Sequence, residues 1–150
     1  MATSSHDNKQ LRSESLDGPE ELSMKTAIAE FPRLFRWAPP QIPGWVMPGW
    51  APLLRRLLLT IDSCLTDPQA KEFRVVQVKE KFGSLRFYFD APASIRPALN
   101  KLVDAACKES EATCLRCGGP AVLVTDDCGW MSVLCKEHRG ARKPVEFGDL

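Results

Sequence analysis

The 150-residue chain has almost no excess of charge of either sign. Its 20 lysines and arginines are balanced by 19 aspartates and glutamates, which leaves a formal net charge of +1. Proteins that coat a polyanion carry a much larger basic excess, and only residues 71–100 are basic here, with six cations against three anions. The composition therefore favours a partner with a shaped surface of mixed charge.

Long apolar runs are also missing. A helix that crosses a bilayer needs about 18 consecutive apolar residues, but the longest apolar segment, residues 53–65, contains Arg55, Arg56 and Asp62. The first 21 residues are polar and lack the apolar centre of a secretory signal. We therefore expect a cytoplasmic protein without a membrane anchor, whose six cysteines bind metal rather than form disulfides.

The sequence is equally poor in catalytic groups. It has two histidines, and it contains no P-loop, no dinucleotide-binding glycine motif, no nucleophile elbow and no His-Glu-x-x-His motif. His6 lies in the polar N-terminal segment, and the second histidine belongs to a metal-binding pattern described below. Because no obvious general base remains, we expect that the protein is not an enzyme.

Changes of composition divide the chain into four parts. Residues 1–20 are a polar leader, which we expect to be flexible. An α+β core follows over residues 21–112, and its loop at 37–52 holds three of the four tryptophans and five of the 12 prolines. Two short paired strands in residues 113–140 are predicted to form a zinc knuckle, and residues 141–150 are a tail.

The core is predicted from hydrophobic periodicity. After Pro52, apolar residues recur at helical spacing as far as Leu65, and Thr66-Asp67-Pro68 ends this helix. A second helix is predicted from a cap at Ser94 to Ser110. The two helices pack on an antiparallel hairpin that lies between them in the sequence, which gives a two-layer α+β fold.

The hairpin occupies residues 73–90, where the hydrophobic period changes to two. Its turn lies within residues 80–84, where Gly83 is free to adopt a left-handed conformation. The residues predicted to face the core are Val76, Val78, Leu85, Phe87 and Phe89. The residues predicted to face outward are Val75, Gln77, Lys79, Arg86 and Tyr88.

The strongest chemical pattern lies near the C-terminal end. Cys114 and Cys117 form one pair, and Cys135 and His138 form a second pair after 17 intervening residues. Each pair encloses two residues, which is the spacing of a tetrahedral zinc knuckle. Since four protein ligands leave no position open for a substrate, we expect one structural Zn²⁺ per chain.

Two alternatives stay open for the cysteines. A redox Cys-x-x-Cys site lies between a strand and a helix, whereas Gly118 and Gly119 follow the first pair here. Cys107 and Cys128 are candidates to replace one of the four ligands.

The sequence motifs of the hairpin and the knuckle together resemble those of a known protein family. The motifs are Gly49-Trp50, the hairpin string Gln-Val-Lys-Glu-Lys-Phe-Gly-Ser-Leu-Arg-Phe-Tyr at 77–88, Thr113-Cys-x-x-Cys-Gly and Gly129-Trp130…Leu134-Cys135-x-x-His138. Over residues 48–138 the chain resembles a family of small bacterial and phage-borne proteins with such a hairpin and a C-terminal zinc knuckle. Some of these occur beside secreted polymorphic toxins, so the resemblance implies an immunity protein that neutralises a cognate toxin.

We expect an immunity protein to bind its toxin stoichiometrically and to occlude the toxin's active site. The predicted partner-binding residues are Trp37, Trp45, Trp50, Lys79, Arg86 and Tyr88. The alternative role for the tryptophans is to close the hydrophobic core. The alternative function is a zinc-containing nucleic-acid-binding or regulatory protein, whose basic residues would be Lys79, Lys81 and Arg86, with Arg139, Arg142 and Lys143 after the last ligand.

Overall fold

A computed structural model describes residues 24–37 and 47–146, so the predicted leader lies outside the described residues. The helices are α1 (Met24–Glu30), α2 (Ala51–Cys64), α3 (Asp67–Glu72) and α4 (Arg96–Ser110), and a 3₁₀ turn at Pro48–Trp50 leads into α2. The strands are β1 (Arg74–Lys81), β2 (Ser84–Asp90), β3 (Val122–Thr125), β4 (Met131–Leu134) and β5 (Lys143–Pro144). These elements form the α+β fold that the sequence predicts. Within the described ranges, no helix has the length and apolar character to cross a membrane.

One hydrophobic core joins α2, α4 and the β1–β2 hairpin. The apolar stripe of α2 is buried as predicted, and it consists of Leu53, Leu54, Leu57, Leu58 and Ile61. Leu99, Val103 and Ala106 of α4 belong to the same cluster, as do Ala27 of α1 and Phe31 and Leu34 after it. At the surface, Arg55 pairs with Glu30 at 2.9 Å and Arg56 pairs with Glu109. These ion pairs connect α2 to α1 and to α4.

A short helix that the sequence analysis missed lies between α2 and the hairpin. Helix α2 ends at Cys64, just before the predicted stop at Thr66-Asp67-Pro68. Thr66 then caps α3, because its side chain accepts the N–H of Gln69 and the Gln69 side chain accepts the N–H of Thr66. This capping box satisfies two helix-end donors, and Pro68 suits a first helical turn. The same residues therefore end one helix and begin the next.

The hairpin pairs β1 with β2 in antiparallel register, but a bulge changes which valines face the core. The pairing shifts between Val75 and Gln77, and the extra residue reverses the alternation of side chains. Val75 is consequently 2% exposed and Val76 is 37% exposed. The prediction for these two residues was wrong, whereas Val78 is buried and Tyr88 is exposed as predicted.

The second sheet has the strand order β4-β3-β5. Strands β3 and β4 pair over Val122–Thr125 and Met131–Leu134, as the knuckle prediction requires. Strand β5 adds to the other edge of β3, and the N–H of Val145 donates to the carbonyl of Leu123 at 2.9 Å. Part of the predicted tail thus belongs to the sheet.

The predicted cap of α4 was also wrong. The helix begins at Arg96, and Ile95 occupies the N-cap position without a side-chain hydrogen bond. Pro97 lies in the first turn, where a missing N–H costs nothing.

The bulge predicts losses of stability of different size for two adjacent substitutions of the same kind. Val75→Ala removes two buried methyl groups and is expected to lower the free energy of unfolding by about 2 kcal/mol. Val76→Ala changes an exposed side chain and is expected to lower it by less than about 0.5 kcal/mol. Urea denaturation measures both, and a larger loss for Val76→Ala would place the bulge elsewhere.

Candidate metal centre

The structure brings the four predicted ligands together. The donor atoms of Cys114, Cys117, Cys135 and His138 all lie within 4.8 Å of one another. The Sγ atoms of Cys117 and Cys135 are 3.7 Å apart, and the Nδ1 atom of His138 is 3.1 Å from the Sγ of Cys135 and 3.8 Å from that of Cys114. The cluster can hold a metal ion.

Two tight turns position these donors. In the first, the N–H of Gly118 donates to the carbonyl of Cys114 at 2.9 Å, and Gly118 has a φ of 80°, which favours glycine. In the second, the amides of His138 and Arg139 donate to the carbonyl of Cys135 at 3.2 and 3.0 Å. Strands β3 and β4 hold the two turns side by side, because the first turn precedes β3 and the second follows β4.

Hydrogen bonds from nearby backbone amides also favour the thiolate form of Cys114, which is the form that binds metal. Burial acts to raise the pKa of the Cys114 thiol, but hydrogen bonds from the amides of Cys117, Cys135 and Arg116 outweigh it and lower the pKa to about 6. The Cys117 thiol differs: the Gly119 amide acts to lower its pKa, but desolvation and the neighbouring thiols of Cys114 and Cys135 raise it. A bound metal ion would hold each of these cysteines as a thiolate, and its positive charge would offset the repulsion between the neighbouring sulfurs.

The other cysteines stand apart from the cluster. Cys107 is half-buried on α4, where burial raises the pKa of its thiol. Cys128 is exposed in the turn between β3 and β4. Neither residue belongs to the metal-binding group found in the described part of the chain. The first cysteine pair is followed by a glycine turn and a strand rather than by a helix, which disfavours the redox alternative.

The first metal-binding turn rests directly on the core, at a glycine whose role the sequence analysis missed. The N–H of Gly49 donates to the carbonyl of Leu115 at 2.8 Å. A Cβ atom built on Gly49 would lie 1.9 Å from the carbonyl oxygen of Cys114 and 2.7 Å from the amide nitrogen of Gly118. Only glycine permits this approach. The sequence contained one indication of this contact, the Gly49-Trp50 motif. No local pattern, however, shows which distant segment a glycine contacts.

Trp50 completes the same contact, and its predicted partner-binding role is contradicted. The side chain is fully buried, and its Nε1–H donates to the carbonyl of Thr113 at 2.8 Å. Its alternative role, closing the core, is the one observed. Buried indoles generally find such an acceptor, and here the acceptor lies immediately before the first ligand.

The remaining predicted partner-binding residues lie on the surface or outside the described ranges. Lys79, Arg86 and Tyr88 share the outer face of the hairpin, where Lys79 and Arg86 are directly opposite each other. The Lys79 Nζ lies 5.5 Å from the centre of the Tyr88 ring. Trp37 is 54% exposed, and Trp45 lies outside the described residues.

Comparisons of the chain with protein-family models, with curated proteins and with solved structures found no match.

The geometry predicts that Cys117 is required for metal binding and that Cys128 is not. Both side chains are exposed, so neither substitution by serine removes a core contact. Cys117→Ser is expected to weaken metal binding by at least about tenfold, because one of four ligands is replaced, and to lower the thermal midpoint of unfolding. Cys128→Ser is expected to bind as the wild type does.

Metal content after dialysis and competition with a chromophoric chelator measure this difference. Equal metal affinity of the two variants would contradict the four-ligand assignment.

Proposed function

We propose that the cluster binds one structural Zn²⁺ per chain. Zinc–sulfur bonds of about 2.3 Å in a tetrahedral site place two sulfurs about 3.8 Å apart, and the Cys117 and Cys135 sulfurs are 3.7 Å apart. A sulfur and a nitrogen ligand of zinc lie about 3.6 Å apart on the same basis. The distances from Nδ1 of His138, 3.1 and 3.8 Å, bracket this value. Elemental analysis of the protein as purified from cells, with no metal added, identifies the ion.

We propose further that the protein is a cytoplasmic protein-binding module that inhibits a cognate secreted toxin. The observation that supports binding over turnover is the closed donor set. Four side chains fill a tetrahedral zinc ion and leave no position for substrate or for an activated water. The resemblance of the hairpin and knuckle to immunity proteins supports the choice of a toxin as the partner.

A zinc-stiffened scaffold suits this role. The ion joins the turn after α4 to the turn after β4, and the first of these turns is docked on Gly49 and Trp50. Side chains on such a frame lose little conformational freedom when they bind, which favours affinity. The inhibitor would act by covering the active site of the toxin, with aromatic and cationic side chains as contacts.

The second candidate function is binding of single-stranded nucleic acid. The observation in its favour is the outer face of the hairpin, where Lys79, Arg86 and Tyr88 combine positive charge with an aromatic ring. Such faces stack bases and contact phosphates. The near-neutral charge of the whole chain, +1, ranks this candidate below the first.

The proposal expects a gene for a secreted toxin beside the gene for this chain, and the test is co-expression of the two proteins. We expect a 1:1 complex by size-exclusion chromatography and a dissociation constant in the nanomolar range or below, about −12 kcal/mol or better. Protection of toxin-sensitive cells should saturate at one inhibitor per toxin, because an occluded site needs one bound molecule.

Three results would contradict the proposal. The two proteins could elute separately, or cells could be protected by far less than one inhibitor molecule per toxin molecule. The third is tight binding of the protein to single-stranded DNA that weakens steeply with salt. The last result would support the second candidate.

A further inference from the structure

Two turns of the structure place large aromatic side chains in solvent beside a common cleft. Phe82, in the turn between β1 and β2, is 62% exposed, and Trp130, beside the turn between β3 and β4, is 67% exposed. The cleft has a volume of about 290 Å³. Its lining residues are Glu80, Lys81, Phe82, Gly129, Trp130 and Met131. It crosses the junction between the hairpin and the second sheet.

Phe82 occupies a conformation that is unfavourable for its residue type. Its φ is 53°, and it is the only residue other than glycine with a positive φ in the described ranges. With Gly83 at 76°, both central residues of the turn have a positive φ, and such turns prefer asparagine at the first position. A bulky side chain there is strained. Because the ring is mostly exposed, burial in the chain's own core does not explain its presence.

Side-chain carboxylates form hydrogen bonds to the backbone of both turns. The Glu80 carboxylate accepts the N–H of Gly83 at 2.6 Å, and a Cβ atom on Gly83 would lie 2.5 Å from the Leu123 side chain. In the other turn, the Asp126 carboxylate accepts the amides of Cys128 and Trp130, each at 2.9 Å. The aromatic side chains therefore project from ordered backbone, as in protein interfaces that bind through a few anchors.

The charges beside the cleft indicate what binds there. Lys81 lies at its edge, with its Nζ 5.6 Å from the centre of the Phe82 ring. Lys79 and Arg86 continue the same face of the hairpin and lie opposite each other, an arrangement of like charges that costs stability. In the part of the chain that the structure describes, none of these three cations forms an ion pair with a carboxylate. Carboxylates of a partner would relieve this repulsion.

Carboxylates in and near the cleft favour a protein over a nucleic acid, and one of them, Glu80, lines the cleft. Asp127 is exposed in the turn that leads to Trp130, and Asp126 is beside it. These carboxylates repel a continuous phosphate backbone, whereas a protein partner can place its own carboxylates opposite the cations alone, away from Glu80 and Asp127.

We propose that the cleft between Phe82 and Trp130 is the docking site for a protein partner with an acidic surface. An apolar side chain of the partner enters the cleft, and adjacent carboxylates pair with Lys79, Lys81 and Arg86. This inference rests on the proposed function in one respect, namely that the partner is the toxin. The exposure of Phe82 and Trp130, the strained φ of Phe82 and the cations left unpaired within the described ranges do not depend on the identity of the partner.

The experiment first uses the purified toxin complex as the probe. Phe82→Asn suits a positive φ and is expected to leave the thermal midpoint unchanged or raised while it weakens toxin binding at least about tenfold. Trp130→Ala is expected to weaken binding to a similar degree. The control is Leu59→Ala, which removes a side chain that is 56% exposed on α2 and should change the dissociation constant less than about twofold.

Charge reversal tests the second part of the proposal. Lys79→Glu combined with Arg86→Glu is expected to slow association and to remove most of its dependence on salt. A toxin complex that forms but is unaffected by the substitutions at Phe82 and Trp130 would overturn the docking site and leave the proposed function intact.

If no toxin complex forms, the proposed function fails and the site is tested separately. A photo-crosslinking amino acid is placed at position 82 in one sample and at position 59 in another, in the cells that naturally make the protein. The proposal expects one identified protein with an acidic surface to be crosslinked from position 82 and not from position 59. The crosslinking yield should fall when Lys79→Glu and Arg86→Glu are introduced. A link to a second copy of the chain, a link to nucleic acid or no link from position 82 would overturn it.

Discussion

The backbone of Gly49 touches the first metal-binding turn so closely that no side chain fits between them. This contact, with the hydrogen bonds from Gly49 to Leu115 and from Trp50 to Thr113, fixes the metal centre on the hydrophobic core. Leu115 packs against both hydrophobic clusters, so the two parts share a boundary residue. The knuckle is therefore part of one folded unit rather than an appended domain.

A second contact holds the other end of the knuckle. Gly83, at the tip of the hairpin, packs against Leu123 and Val133 of the second sheet. The hairpin tip and the sheet thus meet where the aromatic cleft lies, and the two glycine contacts together determine how the two sheets are placed. A metal ion held by Cys114, Cys117, Cys135 and His138 would stabilise the sheet from which Trp130 projects, because the two ligand pairs flank strands β3 and β4.

Short-range patterns predicted much of this structure, and long-range contacts account for what they missed. Helical spacing identified α2 and α4, and the ligand spacing identified all four members of the metal cluster, because both features depend on residues that are near in sequence. The bulge at Val75–Gln77 reversed two valines, since the hydrophobic pattern cannot show which of two adjacent valines faces the core. Trp50 was ambiguous because its hydrogen-bond acceptor, Thr113, lies 63 residues away. Phe82 was assigned to a turn, but its positive φ and its exposure became evident only in the structure.

The most direct test of the account is amide hydrogen exchange on the metal-loaded protein and on the protein stripped with a chelator. Removal of the metal is expected to accelerate exchange not only at the Leu115 amide, which donates to Val133, but also at the Gly49 amide and along α2 and the β1–β2 hairpin. This spread is expected because the knuckle and the core unfold together when they share their packing. Acceleration confined to residues 114–138, with the Gly49 amide and α2 unchanged, would show that the metal stabilises a separate unit and would contradict the account.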